Sequence, residues 1–164
     1  YEEKQLIEDI KAVLTPDLLS PAYLRQWNSR RHRTWGHCYA AAEAIYHMLG
    51  GREAGYIPNR TRIDNKTHWF IVRIKSGVHL DPTREQFRDN LTSEYALANS
   101  DACGFLTRAM SKRAEEIVRR VLKMHRVLNK YRTVRSRSLA KLKPLHPEID
   151  KRWKNSLKEM YPEN

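Results

Sequence analysis

The sequence predicts an α+β protein in which a helix bearing a cysteine packs on a small antiparallel sheet, followed by a helical, basic C-terminal extension. Three observations lead there. Cys38 opens an alanine-rich run that ends at Gly50-Gly51, a stretch of strong helix formers closed by residues that tolerate a left-handed conformation. Residues 67–74 are β-branched and aromatic, Lys75-Ser76-Gly77 is a turn signal, and a second short run ends at Asp81-Pro82, which together read as a β-hairpin. Charge is unevenly placed: residues 1–106 carry 14 Lys+Arg against 13 Asp+Glu, whereas residues 107–164 carry 17 against 6. A balanced domain, 1–106, is therefore expected to give way to a basic helical extension, 107–164.

Taken in order, residues 2–14 form an amphipathic helix with Leu6, Ile7, Ile10, Val13 and Leu14 at helical spacing, stopped by Pro16. Ser20-Pro21 starts a shorter helix that runs through Trp27, whose ring is expected to pack on the domain. Residues 28–34 are a polar, basic loop leading to Gly36. After the Cys38 helix, residues 54–63 are an expected strand interrupted by Pro58, which places it at a sheet edge. Residues 84–87 are a short helix, and residues 103–106 a short strand or packed loop with Cys103 buried. Ser111 is a good N-cap for an amphipathic helix over 112–131, residues 133–143 are basic and weakly periodic, and His146-Pro147 opens a third helix.

Composition excludes several classes. At 164 residues, 40% hydrophobic and 30% charged, the chain has the make-up of a soluble globular protein. No run approaches the ~18 apolar residues of a membrane span, and no signal-peptide pattern precedes the first helix. Two cysteines make no disulfide framework, so a reducing, cytoplasmic compartment is expected. Seven histidines and two cysteines show no paired ligand spacing, and neither a metal nor another cofactor is expected.

The chemistry centres on Cys38. In the first turn of a helix, unpaired N–H groups and the dipole favour a thiolate, the form in which cysteine is a nucleophile. Cys38 also shares a face with Ala41, Ala42, Ile45, Met48 and Leu49, which suits a packed structural thiol equally well. The hairpin supplies what the helix lacks, a histidine near the start of one strand (His68) and an aspartate at the end of the next (Asp81). With these residues the chain resembles the transglutaminase-like and papain-like cysteine enzymes. More narrowly, Gly36-His37-Cys38, Gly50-Gly51, His68-Trp69 and the run from Asp81 to Phe87 resemble the YunG-like family of bacteria and their phages, over roughly residues 24–106. The resemblance implies a papain-like/transglutaminase-like core with Cys38 as nucleophile, His68 as its base and Asp81 orienting the imidazole. A two-residue turn at Ser76-Gly77 sets Asp81 opposite Val72, four residues from His68, so a bulge, a shifted register or a bend at Pro82 has to bring them together.

Around this trio, Gln26 and Asn28 are candidates for an oxyanion donor by position, and His37 and Trp69 flank the site as candidate substrate contacts. In the extension, Arg113, Arg119, Arg120, Lys123, Arg126 and Lys130 form a basic face, to be weighed as a nucleic-acid or other polyanion surface against a solvated rim on helices docked by their apolar side. Two functions are carried forward. One is a thiol-dependent acyl-transfer enzyme acting on an amide or ester, in a protein or peptide. The other is a non-catalytic binding protein on the same fold, whose basic arm contacts nucleic acid or a protein partner.

Overall fold

The computed structural model describes residues 2–63, 65–90 and 101–139. It divides into two compact units, 1–123 and 124–164. In the first unit, helix α1 (Glu3–Val13) is followed by a 3-10 turn (Pro16–Leu18), the short α2 (Pro21–Leu24) and α3 (Cys38–Met48). Strands β1 (Tyr56–Ile63), β2 (Lys66–Arg73), β3 (His79–Leu80) and β4 (Asp101–Ala102) make one antiparallel sheet in the order β3-β2-β1-β4. Helix α4 (Lys112–Leu139) begins in this unit and continues into the second, of which its residues from Met124 to Leu139 are the described part. The helix expected from residue 146 onward lies outside the described residues. Among the described residues, no helix is long and apolar enough to cross a membrane.

The core sits between α3 and one face of the sheet. Leu6 and Ile10 of α1, Ala41, Ala44 and Ile45 of α3, Trp69 and Ile71 of β2, and Ala114, Ile117 and Val121 of α4 are buried in a single cluster. The alanines let α3 approach closely, and each larger aliphatic side chain contributes about 1.5–3 kcal/mol of burial. The first three turns of α4 are thus part of this core, although residues 107 onward read as a separate arm by charge. A smaller cluster of Ile63, Phe70, Val72 and Phe87 covers the opposite face.

Several expectations are corrected. Strand β1 is interior, paired along its whole length with β2, and Pro58 does not confine it to an edge. N–H and C=O of a strand residue point to the same side, and Pro58 C=O accepts from Cys103 N at 2.9 Å, so the missing N–H faces the two-residue strand β4 rather than β2. Cys103 is half-buried, not buried. The second helix is a single turn, and Trp27 lies beyond it, 41% exposed. The helix expected to end at 131 runs on through Leu139.

The hairpin turn is also longer than two residues. Val72 pairs with His79 and Ile71 with Leu80, Arg73 N donates to Val78 O at 2.9 Å, and Gly77 adopts φ +65° in the loop between. Extending that register sets Asp81 level with Phe70, two residues from His68 instead of four. A diagonal pair at that offset is within reach of long side chains.

Candidate active site

Gly36 shapes the approach to the cysteine. Its φ of +79° is left-handed, and a Cβ there would lie 2.9 Å from both Leu19 Cδ2 and Tyr23 Cδ1. Only glycine allows that backbone and that close a packing of Tyr23, whose ring also meets Trp35 edge-on at 5.1 Å. Two residues later Cys38 begins α3. Its thiol, half-buried, lies 3.8 Å from the carbonyl of Thr67 at the start of β2.

The next residue of β2 is His68, which is fully buried. Its Nε2 and Asp81 Oδ2 are 2.6 Å apart, and the Asp81 side chain is 6% exposed. The second oxygen, Oδ1, accepts from Thr83 N at 2.9 Å and from Thr83 Oγ1 at 3.0 Å, so the carboxylate is fixed from both sides. Phe87 meets the imidazole edge-on at 4.5 Å and Phe70 stacks at 6.0 Å. His68 Nδ1 is buried with no hydrogen bond of regular geometry. Cys38 adds, after Asp81, to the ring's hold on a proton. Burial pushes His68 down, but the charge and hydrogen bond of Asp81, helped by Cys38, outweigh it and raise the pKa to about 9. The imidazole is therefore protonated at neutral pH.

One residue ties both sides of the site together. Gln86 Nε2 donates to Thr83 O at 2.9 Å, and Gln86 Oε1 accepts from Gly36 N at 3.4 Å. The turn that holds Asp81 and the loop that presents Cys38 are joined through one side chain. Gln86, Thr83 and Tyr23 have no signal by residue type in the sequence. Their roles come from contacts between distant positions, such as the 50-residue separation of Gly36 and Gln86. Tyr23 is pushed up first by burial.

The other sequence candidates are disposed differently. Gln26 Nε2, just past α2, turns back onto Ala22 O of that helix at 3.2 Å, and Asn28 Oδ1 accepts from Arg30 N within the loop. Trp69 is buried against Tyr39 and Phe105 in the core. His37 is buried, and burial first, then the charge of Arg113, lowers its pKa to about 4, so it is neutral at neutral pH. In α4, Arg119 and Arg120 both pair with Glu116, and Arg120 also bonds Thr15 Oγ1 and Asp17. Arg113 is half-buried with Nη1 unpartnered, Lys123 and Arg126 are exposed, and the Lys130 side chain lies outside the described residues. Among the described residues, no group of three or more His, Cys, Asp and Glu could hold a metal ion.

No curated protein matches the chain. No solved structure matches it either. A family model described as "YunG protein" matches residues 2–142, which takes in α1, the Cys38, His68 and Asp81 positions and all of α4. The chain belongs to the YunG protein family.

Proposed function

We propose that the protein is a thiol-dependent acyl-transfer enzyme of the papain-like/transglutaminase-like kind, acting on an amide or ester with a Cys38-His68-Asp81 triad. The observation that carries this reading is the buried His68–Asp81 pair, 2.6 Å apart, with the Cys38 thiol at the start of a helix 3.8 Å from the carbonyl of Thr67, the residue before His68. A buried ion pair of this kind costs desolvation that a hydrophobic pair of similar volume avoids, and perturbed buried pairs concentrate where protons are moved.

The chemistry follows from the charges. A protonated His68 beside the sulfur supports a thiolate–imidazolium pair. The thiolate attacks the carbonyl carbon, backbone N–H groups at the start of α3 take up the oxyanion, and His68 gives its proton to the departing amine or alcohol. Water or an acceptor amine then loses a proton to His68, attacks the thioester and releases the acyl group, restoring the thiolate. Asp81 holds the ring through Nε2, leaving Nδ1 for the sulfur side.

The test is turnover of an activated ester, p-nitrophenyl acetate, with an acyl-enzyme trapped and located by mass spectrometry. Cys38→Ala should abolish the acyl-enzyme, and Asp81→Asn should slow turnover by roughly 10²–10⁴. Turnover unchanged in Cys38→Ala, with no acyl group on Cys38, would sink the reading and leave a binding protein with an inert thiol.

A further inference from the structure

The chain that leads into Cys38 carries four arginines and no carboxylate between Asp17 and Glu43. The loop is held in place. Arg33 donates to Lys11 O and Ala12 O at the end of α1, at 2.8 and 3.3 Å, His32 Nδ1 meets Thr34 Oγ1 at 2.8 Å, and Gln86 bonds Gly36 N. On this frame the Arg31 guanidinium sits 4.6 Å from the centre of the Trp35 ring. Lys66, at the start of β2, brings its ammonium to 5.8 Å from the same ring. Trp35 is three residues before Cys38, and Lys66 precedes Thr67, whose carbonyl meets the Cys38 sulfur. Two cations, one from the loop that leads into Cys38 and one from the residue before Thr67, thus meet the same indole.

Cation–π contact accounts for either side chain alone, at about 0.5–1 kcal/mol for an exposed site. It leaves two like charges exposed around one ring, a place that attracts an anion. Both cations are exposed, and among the described residues neither has a carboxylate partner. Glu85, the acid of this rim, is engaged by Lys11 and His32.

We propose that Arg31 and Lys66 bind a carboxylate of the acyl donor, so that the substrate of the Cys38 site is an acidic polypeptide with an Asp, Glu or terminal carboxylate beside the attacked bond. The proposal rests on Cys38 being the nucleophile. A polypeptide fits better than a nucleic acid: Trp35 is 9% exposed and covered by the two cations, so it offers bases no stacking face. Leu24 and Trp27, 47% and 41% exposed just upstream, add apolar contacts of the kind a peptide side chain uses.

The experiment uses the full chain with Cys103→Ser, leaving Cys38 as its one thiol, and compares alkylation by iodoacetate and by iodoacetamide at pH 7 and low salt. A local positive field attracts the carboxylate-bearing reagent, so the iodoacetate/iodoacetamide rate ratio should exceed that of free cysteine by roughly tenfold and fall with added salt. Arg31→Glu and Lys66→Glu should each abolish the preference. Lys75→Glu changes net charge equally but sits in the turn beyond the far end of β2, about 23 Å along the strand from Lys66 to Arg73, and should keep it. Poly-L-glutamate should protect Cys38 from iodoacetamide more than RNA does. Alkylation by neither reagent overturns the nucleophile reading itself. Iodoacetamide labelling with no iodoacetate preference, or a preference untouched by Arg31→Glu and Lys66→Glu, overturns this inference alone. Protection by RNA but not by poly-L-glutamate overturns the acidic polypeptide in favour of nucleic acid.

Discussion

His68 is surrounded by reasons to keep its proton except one, its own burial. Removing Asp81 leaves burial dominant. Asp81→Asn should therefore drop the His68 pKa from about 9 to below the ordinary value near 6.5, because a buried imidazole without a carboxylate is pushed down. Titration of the ring by NMR reads this directly, and a value that stays near 9 would mean that Asp81 is not the charge that sets it. At Gly36 the expected cost is steric: Gly36→Ala adds a Cβ 2.9 Å from Leu19 and Tyr23 on a left-handed backbone and should destabilise by about 2–4 kcal/mol in urea unfolding. Cys38→Ala, beside Ala41 and Ala42, should cost only about 1 kcal/mol in the same assay. At this scale the sequence was informative wherever residue type implies chemistry. Cys38, His68 and Asp81 stand out by residue type, and the fold sets His68 and Asp81 2.6 Å apart, whereas Gln86 and Thr83 act through backbone and amide bonds that no residue type announces.

Among the elements, α4 is the one whose beginning matters most. Ser111 Oγ accepts from Ala114 N at 3.3 Å as an N-cap, and both Ser111 N and Oγ donate to the buried Glu43 carboxylate of α3, at 3.1 and 2.5 Å. A negative charge at the start of a helix is favourable, and here it also joins α4 to the helix that carries the thiol. Ser111→Ala should cost about 1–2 kcal/mol, and Glu43→Ala more than Glu43→Gln, because the amide still accepts one of the two bonds. Equal losses in the two Glu43 variants would mean that packing, not the hydrogen bonds, explains the residue. The Ser111 cap was legible from its type, but its partner was not, since 68 residues separate them. The interior position of β1 was hidden for a related reason. Pro58 forbids a donor on one side only, and which side depends on the pairing.

For the whole molecule, two histidines with opposite shifts define a pH window. His37 is lowered to about 4, so the unfolded chain binds its proton more readily, and the stability from keeping it neutral is present above pH 6.5 and lost as pH falls towards 4. His68 is raised to about 9, so its contribution is complete below pH 6.5 and is lost as pH rises through 9. Their sum peaks near pH 6.5, and denaturant midpoints at pH 5, 6.5 and 9.5 should show losses on both sides. A midpoint still rising at pH 9.5 would contradict the His68 part. The charge boundary near residue 106 leaves open whether the basic helices stand apart from the domain or dock on it by their apolar side, and Ala114, Ile117 and Val121 are fully buried. A chain ending at Leu106 should therefore aggregate or unfold, while one ending at Lys123 should keep a cooperative transition in circular dichroism. Charge bias marked where composition changes; apolar periodicity within the same helix, read with its partners, marks where the core ends.

The register of the hairpin has a further consequence. Sliding β3 by two residues returns every side chain to the face it left, so hydrophobic patterning cannot distinguish the observed pairing of Ile71 with Leu80 from the slipped one that a two-residue turn would make. Something else has to choose, and besides the loop around Gly77 the 2.6 Å bond between His68 and Asp81 is present in one alignment and out of reach in the other. The pair is then a proofreading contact for folding as well as a part of the candidate site: a chain that closes in the wrong alignment lacks both the paired imidazole and its latch. In Asp81→Ala, amide exchange at His79 and Leu80 should quicken ahead of the rest of the sheet, as the strand samples an alignment that the native chain rejects.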